Sequence, residues 1–158
     1  MNAQPSQPLL AKAISLAKVV VPIGFAAFIA IQFIPVAGVG HNPEERFEID
    51  APPEVKAILV RSCFDCHSNE TRWPFYAKLA PASWLLIKDV EEGRGVLNFS
   101  EWGDYDEEDM AVDKEGAWEQ IEAGTMPPWF YYPPHPDAWL SAEDKAILKK
   151  WLMPEADG

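Results

Sequence analysis

The chain has 158 residues and a formal net charge of -12, from 25 acidic and 13 basic side chains. An acid excess of this size argues against nucleic-acid binding, because the neutralisation of phosphates needs a basic surface. It is typical of a domain that is kept soluble by charge, or that is steered toward a basic surface on a partner protein. Beyond residue 40 the length suits one domain.

The first feature in chain order is an uncharged, mostly apolar stretch at residues 19–40. About 20 such residues can cross a bilayer as a helix. Lys12 and Lys18 precede the stretch and acidic residues follow it, which predicts that residues 1–18 form a cytoplasmic tail. A cleaved signal sequence is the alternative, although its apolar core is usually shorter. Both readings predict export, and the first predicts a single-pass protein of a bacterial inner membrane with its domain in the periplasm.

The rest of the chain predicts a short polar linker at residues 41–52 and a helical domain at 53–158. Capping residues and helical periodicity indicate four helices, at 53–63, at 81–92 before Gly93, at 114–123, and after the N-cap Ser141 with its capping partner Asp144. The acidic run at 104–109 indicates a solvated loop or a helix start. Prolines exclude a helix through 125–134. No stretch alternates as a strand would, so the predicted fold is all-α with long proline-rich loops.

The most specific motif is C-x-x-C-H at Cys63, Cys66 and His67, which is typical of covalent c-type haem attachment. Two thiols on one turn can each add to one vinyl group of the porphyrin, and the next residue can offer an imidazole to the iron. A structural zinc site needs about four ligands, and the chain has only two cysteines. A thioredoxin-like pair needs a βαβ setting. A plain disulfide leaves His67 unexplained. One covalent haem c is therefore the predicted cofactor.

A haem iron bound by His67 has one further axial position. A thioether there suits electron transfer, because it stabilises the reduced iron. Met126 is the preferred candidate, since it follows a predicted helix end and precedes two prolines that stiffen its loop. Met126 could also be ordinary core filling. The weaker candidates are Met110, Met153 and His135, and His135 would give bis-histidine ligation.

Aromatic and cationic side chains near these motifs are candidates for contacts to the haem and its propionates. The candidates are Arg72, Trp73, Tyr76, Trp84 and Arg94. An indole N–H, a phenol or a guanidinium can each donate a hydrogen bond to a carboxylate. Each arginine could equally form a surface ion pair with a neighbouring carboxylate, and large aromatic side chains are most often part of a core.

These motifs together resemble the bacterial haem-binding domain family of small c-type cytochromes. The matching segments are SCFDCHSNETRWP at 62–74, APASW at 80–84, EGR at 92–94, LNFSEW at 97–102, MPP at 126–128, HP at 135–136 and LS at 140–141. The resemblance spans about residues 45–152. It implies a cytochrome c-like helical domain, often tethered to a membrane, with Cys63 and Cys66 as thioether sites, His67 as proximal ligand and Met126 as distal ligand.

Three functions are compatible with such a domain. We expect a membrane-tethered monohaem cytochrome c that carries single electrons between membrane redox complexes or serves as a subunit of one, and that docks on a basic partner surface. A haem-based sensor or binder of NO or CO is the alternative, and it requires an open distal site. An enzyme is not expected. A peroxidase needs a distal histidine–arginine pair, and only Arg94 and His135 could supply it.

Overall fold

A computed structural model of the chain describes residues 7–44 and 47–154. All regular structure in these residues is helical, which confirms the predicted all-α class. The α-helices are α1 (Gln7–Ile31), α2 (Pro53–Ser62), α3 (Phe64–His67), α4 (Ala82–Val96), α5 (Glu107–Ala123) and α6 (Ala142–Leu152). Three short 3-10 turns lie between them, at Phe75–Lys78, Trp102–Asp104 and Pro136–Ala138.

The apolar helix α1 begins and ends earlier than the 19–40 stretch expected from the sequence. Its segment Leu9–Ile31 is long and apolar enough to cross a membrane, with a mean hydropathy of 2.2 and 0% of its most apolar stretch buried. Lys12 and Lys18 lie inside the helix, because lysine is a good helix former and the apolar periodicity continues through them. Residues 32–40 instead form turns. Residues 1–6 of the expected tail lie outside the described residues.

The domain core lies between α2, α5, α6 and the segment around Phe99. The predicted apolar stripe of α2 is confirmed, since Val55, Ile58 and Leu59 are all buried. Helix α6 begins as predicted, because the Ser141 hydroxyl accepts from the Asp144 N–H while the Asp144 carboxylate accepts from the Ser141 N–H. The further members of the core are Ile49, Phe64, Leu97, Phe99, Trp102, Ile121, Leu140, Leu148 and Leu152.

Helix α4 does not stop at Gly93, as the sequence predicts, but continues through Gly93 and Gly95 to Val96. Gly93 is needed for packing, because a Cβ there would lie 2.5 Å from the carbonyl oxygen of Cys66. A Cβ at Gly95 would meet nothing within 4 Å. The glycine at 93 therefore allows α4 to approach α3 closely.

Helix α5 begins at Glu107 and not at residue 114. Asp106 is its N-cap and accepts a hydrogen bond from the Asp109 N–H at 2.9 Å. Three carboxylates follow in the first turn, where they interact favourably with the positive end of the helix dipole. The acidic run is thus a helix start, one of the two readings that the sequence allowed. The helix ends at Gly124, whose φ of 71° is the left-handed C-cap conformation.

The segment expected to be a linker packs against the domain. The Ile49 N–H donates to the Phe99 carbonyl at 2.8 Å, and the Phe47 N–H donates to the Ser100 carbonyl at 3.1 Å. Ile49 itself is a buried core residue. Residues 45–46 of this segment lie outside the described residues. The contacts of Phe47 and Ile49, which follow that gap, hold the chain against the Phe99 segment.

Candidate functional site

The C-x-x-C-H motif forms a single helical turn at the junction of α2 and α3. Cys63 separates the two helices, and its carbonyl accepts from the N–H groups of Cys66 and His67 at 3.2 and 3.0 Å. Both cysteines are free thiols. Burial raises the pKa of each thiol to about 12, with a further contribution from the neighbouring Cys66 at Cys63 and from Asp89 at Cys66.

His67 is held in the state that an iron ligand requires. Its Nδ1 lies 3.1 Å from the Leu97 carbonyl oxygen, which can only accept, so Nδ1 carries the proton and Nε2 keeps the lone pair that a metal would bind. Burial lowers the pKa of the imidazole and keeps it neutral. The backbone of His67 is fixed as well, because its carbonyl accepts from the Phe99 N–H at 2.8 Å.

A buried polar network supports this turn from behind. The Asn98 amide donates to the Asn69 side-chain oxygen at 3.0 Å and accepts from the Ser100 N–H at 3.1 Å. The Ser100 hydroxyl in turn accepts from the Asn69 N–H at 3.0 Å. All three residues are buried. These bonds join the segment after His67 to residues 98–100, which gives Asn69 of the SNE motif and Asn98 and Ser100 of the LNFS motif a structural role.

Asp65, between the two cysteines, connects the motif to a distant loop. Its carboxylate accepts two hydrogen bonds from the Arg72 guanidinium at 3.0 Å and one from the Tyr131 hydroxyl at 2.6 Å. Burial alone would raise the pKa of Asp65, but these donors hold it below its ordinary value. Burial and the Asp65 carboxylate raise the pKa of Tyr131 well above its ordinary value, so its hydroxyl stays a donor. The loop that contains Met126 is in this way attached to the C-x-x-C-H turn.

A cavity of about 230 Å³ opens beside Cys66. Its walls are mostly apolar, with Leu86 and Val90 of α4 on one side and Phe130 of the 125–135 loop on the other. Phe130 and Leu85 are also partly solvent-exposed, so the cavity opens as a groove. Asp65 and Cys66 of the motif line this groove, whereas Cys63 and His67 belong to the same turn and lie outside the lining. An apolar groove beside the C-x-x-C-H turn suits the covalent haem that the sequence predicts. Among the described residues no cluster of three or more His, Cys, Asp or Glu could hold a separate metal ion.

The five predicted haem contacts fall into different places. Arg72 and Tyr76 line the cavity. Trp73 donates its indole N–H to the Asn42 side chain at 2.9 Å, and Arg94 donates to the Ser68 carbonyl at 2.8 Å and to the Thr71 hydroxyl at 2.9 Å. Trp84 is half-buried on the first turn of α4. Arg72 forms the ion pair with Asp65 that the sequence allowed, and contacts of all five residues to a haem stay predictions.

The predicted axial candidates are also separated. Met126 follows the α5 cap, where its N–H donates to the Gln120 carbonyl at 3.3 Å, and 41% of its surface is exposed. His135 lines the cavity, and its ring stacks on Tyr131 at 4.1 Å. Met110 packs against the domain core, and Met153 caps the end of α6. Neither Met110 nor Met153 lines the cavity, and Met126 lies outside its lining as well.

Sequence reasoning missed three groups that build the site. The Leu97 carbonyl orients His67, Gly93 admits α4 next to Cys66, and Asn42 binds both Trp73 and Arg94. A backbone carbonyl has no sequence signal of its own. A glycine inside an otherwise helical segment was the one available signal for a close approach.

A family model described as a haem-binding domain matches residues 26–153, most of the chain. No curated protein and no solved structure gives a match. The matched range contains the C-x-x-C-H turn, the network behind His67 and the cavity beside Cys66. The chain belongs to the haem-binding domain family.

Proposed function

We propose that the protein is a membrane-tethered monohaem cytochrome c that transfers single electrons. The observation that carries this proposal is the arrangement of His67, a neutral imidazole with Nδ1 committed to the Leu97 carbonyl and Nε2 free, directly after two thiols on the same turn. Covalent haem c supplies reversible one-electron chemistry when bound. The chain then orients the proximal imidazole, excludes water with apolar walls and fixes the macrocycle through Cys63 and Cys66.

We propose Met126 as the second axial ligand. It belongs to the 125–135 loop, which begins at the α5 cap and is attached through Tyr131 to Asp65 of the motif. Its thioether is partly exposed and is not packed into the core, unlike Met110. His135 is the rival, because it lines the cavity and its Nδ1 is engaged with the Tyr131 carbonyl at 3.1 Å, which leaves the Nε2 lone pair for a metal as at His67. A methionine ligand favours the reduced iron and so favours electron transfer.

The proposed location is the periplasmic side of a bacterial inner membrane, with α1 as a single span. Support comes from the apolar stretch Leu9–Ile31 and from the two lysines in its first half. An acidic surface on the domain, including the first turn of α5, would guide docking on a basic redox partner. The partner is either a separate redox complex or a complex of which this chain is a subunit.

The optical spectrum of the full-length protein, purified from membranes in detergent, tests the proposal. We expect a low-spin spectrum in both oxidation states, the weak far-red methionine–iron band in the oxidised protein, and no response of the reduced protein to CO. A high-spin spectrum with ready CO binding would instead support the sensor or ligand-binding function.

Matched substitutions identify the axial ligand. Met126→Ala is expected to abolish the far-red band, lower the reduction potential and allow CO to bind, because the thioether is removed from the iron. His135→Ala serves as the control and is expected to keep the band and the potential. The reversed pattern would assign the position to His135.

Covalent attachment has its own test. The Cys63→Ala and Cys66→Ala single variants are each expected to keep one thioether bond, so haem stays with the polypeptide on a denaturing gel. The double variant is expected to give no haem stain at the position of the protein. A stained double variant would contradict c-type attachment.

A further inference from the structure

The end of the apolar helix α1 is fastened to the domain by Gln32, the residue that follows it. The Gln32 amide donates to the Ala80 carbonyl at 3.1 Å and accepts from the Ala80 N–H at 3.0 Å. The same amide donates to the Phe28 carbonyl inside α1 at 2.9 Å. One side chain therefore binds both backbone groups of a buried residue in the domain and also a helix carbonyl.

The chain that follows Gln32 continues along the domain. Gly38 has a φ of 85° and packs so closely on Ile87 that a Cβ would lie 2.9 Å from the Ile87 methyl group. Asn42 donates to the Thr71 carbonyl at 3.0 Å and accepts from Trp73 and Arg94 at 2.9 and 3.2 Å. A flexible tether would make no such contacts. The segment from Gln32 to Asn42, and with it the end of α1, is thus fastened to the domain.

The residues just before Ala80 form an exposed turn that we call the interface turn, residues 75–79. Phe75 is 82% exposed and Leu79 is 46% exposed, and Lys78 is exposed between them. Leu79 adjoins Ala80, which is bound to the first residue beyond α1. The exposed apolar side chains of Phe33 and Ile34 follow Gln32 directly. If α1 spans a bilayer, the end of α1 and these two residues lie near its surface, and the hydrogen bonds from Gln32 to Ala80 bring the interface turn to a similar depth.

We infer that the interface turn rests in the headgroup region of the membrane that α1 crosses. Phe75 and Leu79 then enter the boundary of the acyl chains, and Lys78 meets the lipid phosphates. Continuity with α1 through Gln32 and the apolar–cationic–apolar composition of the turn favour lipid as the occupant. Tyr76 of the same turn lines the cavity, so the haem groove lies next to the membrane surface. The inference rests on the proposed membrane tether and on Gln32 as its fixed end.

Spin labels on introduced cysteines test this inference in the full-length protein, reconstituted in nanodiscs of phosphatidylcholine and phosphatidylglycerol. The labelled variants are Phe75→Cys and Leu79→Cys in the turn, Phe25→Cys as a depth marker in α1, and Val112→Cys on the exposed side of α5 as an aqueous control. All four side chains are exposed, so the substitutions leave the core intact. Haem staining confirms that each sample is holoprotein. The relaxation of each label by oxygen, which prefers lipid, is compared with its relaxation by a water-soluble nickel chelate.

We expect the labels at 75 and 79 to show an oxygen-to-nickel ratio several-fold above that at 112, and below that at 25. The inference would be overturned if the ratios at 75 and 79 equalled the ratio at 112 while position 25 reported the bilayer core. That result would leave the membrane tether intact. An aqueous position 25 would overturn the tether and the inference together. Labels at 75 and 79 shielded from both reagents would mean that a protein surface covers the turn.

The role of Gln32 has a separate readout. Gln32→Ala removes both hydrogen bonds to Ala80 and leaves α1 apolar. The label at position 79 is expected to become more mobile in its spectral line shape and to lose most of its excess oxygen relaxation, while position 25 is unchanged. An unchanged label at 79 would show that Gln32 does not set the orientation of the domain.

Discussion

The C-x-x-C-H turn is held by buried hydrogen bonds around His67, whereas the loop at residues 125–140 reaches this turn through Tyr131 and packs on α2 through its second half. On the first side, Asn69, Asn98 and Ser100 bond to one another, and the His67 ring and carbonyl are both bound. On the second side, Tyr131 reaches Asp65 while Trp129 and Phe130 are exposed.

Under the proposed function, this difference would combine a fixed iron ligand with an adjustable one. The His67 imidazole is oriented by the protein itself, because its tautomer and its backbone are set by residues 97–99. The distal loop, residues 125–140, is bound to the motif by the hydrogen bond from Tyr131 to Asp65, and its second half packs on α2 and places Leu140 in the core. Local opening should therefore begin in its first half, residues 125–135, where most side chains are exposed or half-buried.

Substitution of Gly93 tests the fixed side most severely. Gly93→Ala would place a Cβ 2.5 Å from the Cys66 carbonyl, which is backbone and cannot move aside. We expect the free energy of unfolding to fall by about 3 kcal/mol, together with a loss of haem content, because α4 must shift away from α3. Urea unfolding followed by circular dichroism measures the change.

Gly95→Ala is the matched control, two residues along the same helix. A Cβ there meets nothing within 4 Å, so alanine should stabilise α4 by about 0.5 to 1 kcal/mol through its better helix propensity. Equal effects of the two substitutions would mean that the contact between Gly93 and Cys66 does not determine the approach of α4.

The buried amide pair gives the next largest effect. Asn98→Ala removes the donor to Asn69 and the acceptor for the Ser100 N–H, leaving buried polar groups without partners. We expect a loss of about 2 kcal/mol in the free energy of unfolding. A double-mutant cycle with Asn69→Ala should show strong coupling between the two residues, and strictly additive losses would contradict a shared network.

The sequence predicted those parts of the fold that depend on local signals. Helix α2 follows from Pro53 and its apolar stripe, and α6 follows from the Ser141 capping box. The end of α4 could not be predicted in this way, because Gly93 is a helix breaker by propensity and is kept in the helix by its contact with Cys66. The segment 41–52 was predicted to be a linker because no local signal indicates its partners at 99–100, which lie about 50 residues away in the sequence.

The candidate site also has parts that local sequence signals predict and parts that depend on long-range packing. Adjacent residues 63–67 carry their chemistry in their spacing, so the turn was predictable, and the role of His67 as iron ligand stays a prediction. The Leu97 carbonyl and the bond from Tyr131 to Asp65 depend on how distant segments pack, and no local pattern encodes them. Trp73 and Arg94 were read as haem contacts because both types donate hydrogen bonds, yet Asn42 offers them an acceptor within the protein.

The hydrogen bond from Tyr131 to Asp65 can be removed while the aromatic ring of residue 131 is kept. Tyr131→Phe deletes the hydroxyl that donates to Asp65 and keeps the ring that stacks on His135. Because Arg72 still binds the carboxylate, we expect a loss of about 1.5 kcal/mol in the free energy of unfolding, smaller than that of Asn98→Ala. We also expect the far-red methionine–iron band to weaken, as the loop holds Met126 less firmly.

Tyr132→Phe is the control for Tyr131→Phe, since Tyr132 is the neighbouring phenol and its ring packs on Trp139 at 4.8 Å. It should leave both the stability and the far-red band close to those of the unsubstituted protein. A weakened band in both variants, or in neither, would contradict a specific role for the bond to Asp65.

The smallest expected effect concerns the far end of the loop, where α6 begins. Asp144 caps α6 through Ser141 and pairs with Arg61 of α2 at 3.0 Å. Burial opposes ionisation of Asp144, but the hydrogen bonds from Ser141 and Arg61 outweigh it and lower the pKa below the ordinary value of 3.8. A carboxyl group with a lower pKa in the folded protein stabilises it above the unfolded-state pKa. This contribution is lost as the pH falls from about 4 through the folded-state pKa.

Asp144→Asn should therefore lower the free energy of unfolding by about 0.5 kcal/mol at pH 7 and by less at pH 3, which flattens the acid side of the stability profile. Glu143→Gln is the matched control, because it removes a carboxylate from the same first turn and leaves the Ser141 capping box in place. Thermal unfolding between pH 3 and pH 7 separates the two. A profile that flattens equally in both variants would assign the effect to the helix dipole, and the capping box would then not be what holds this end of the distal loop.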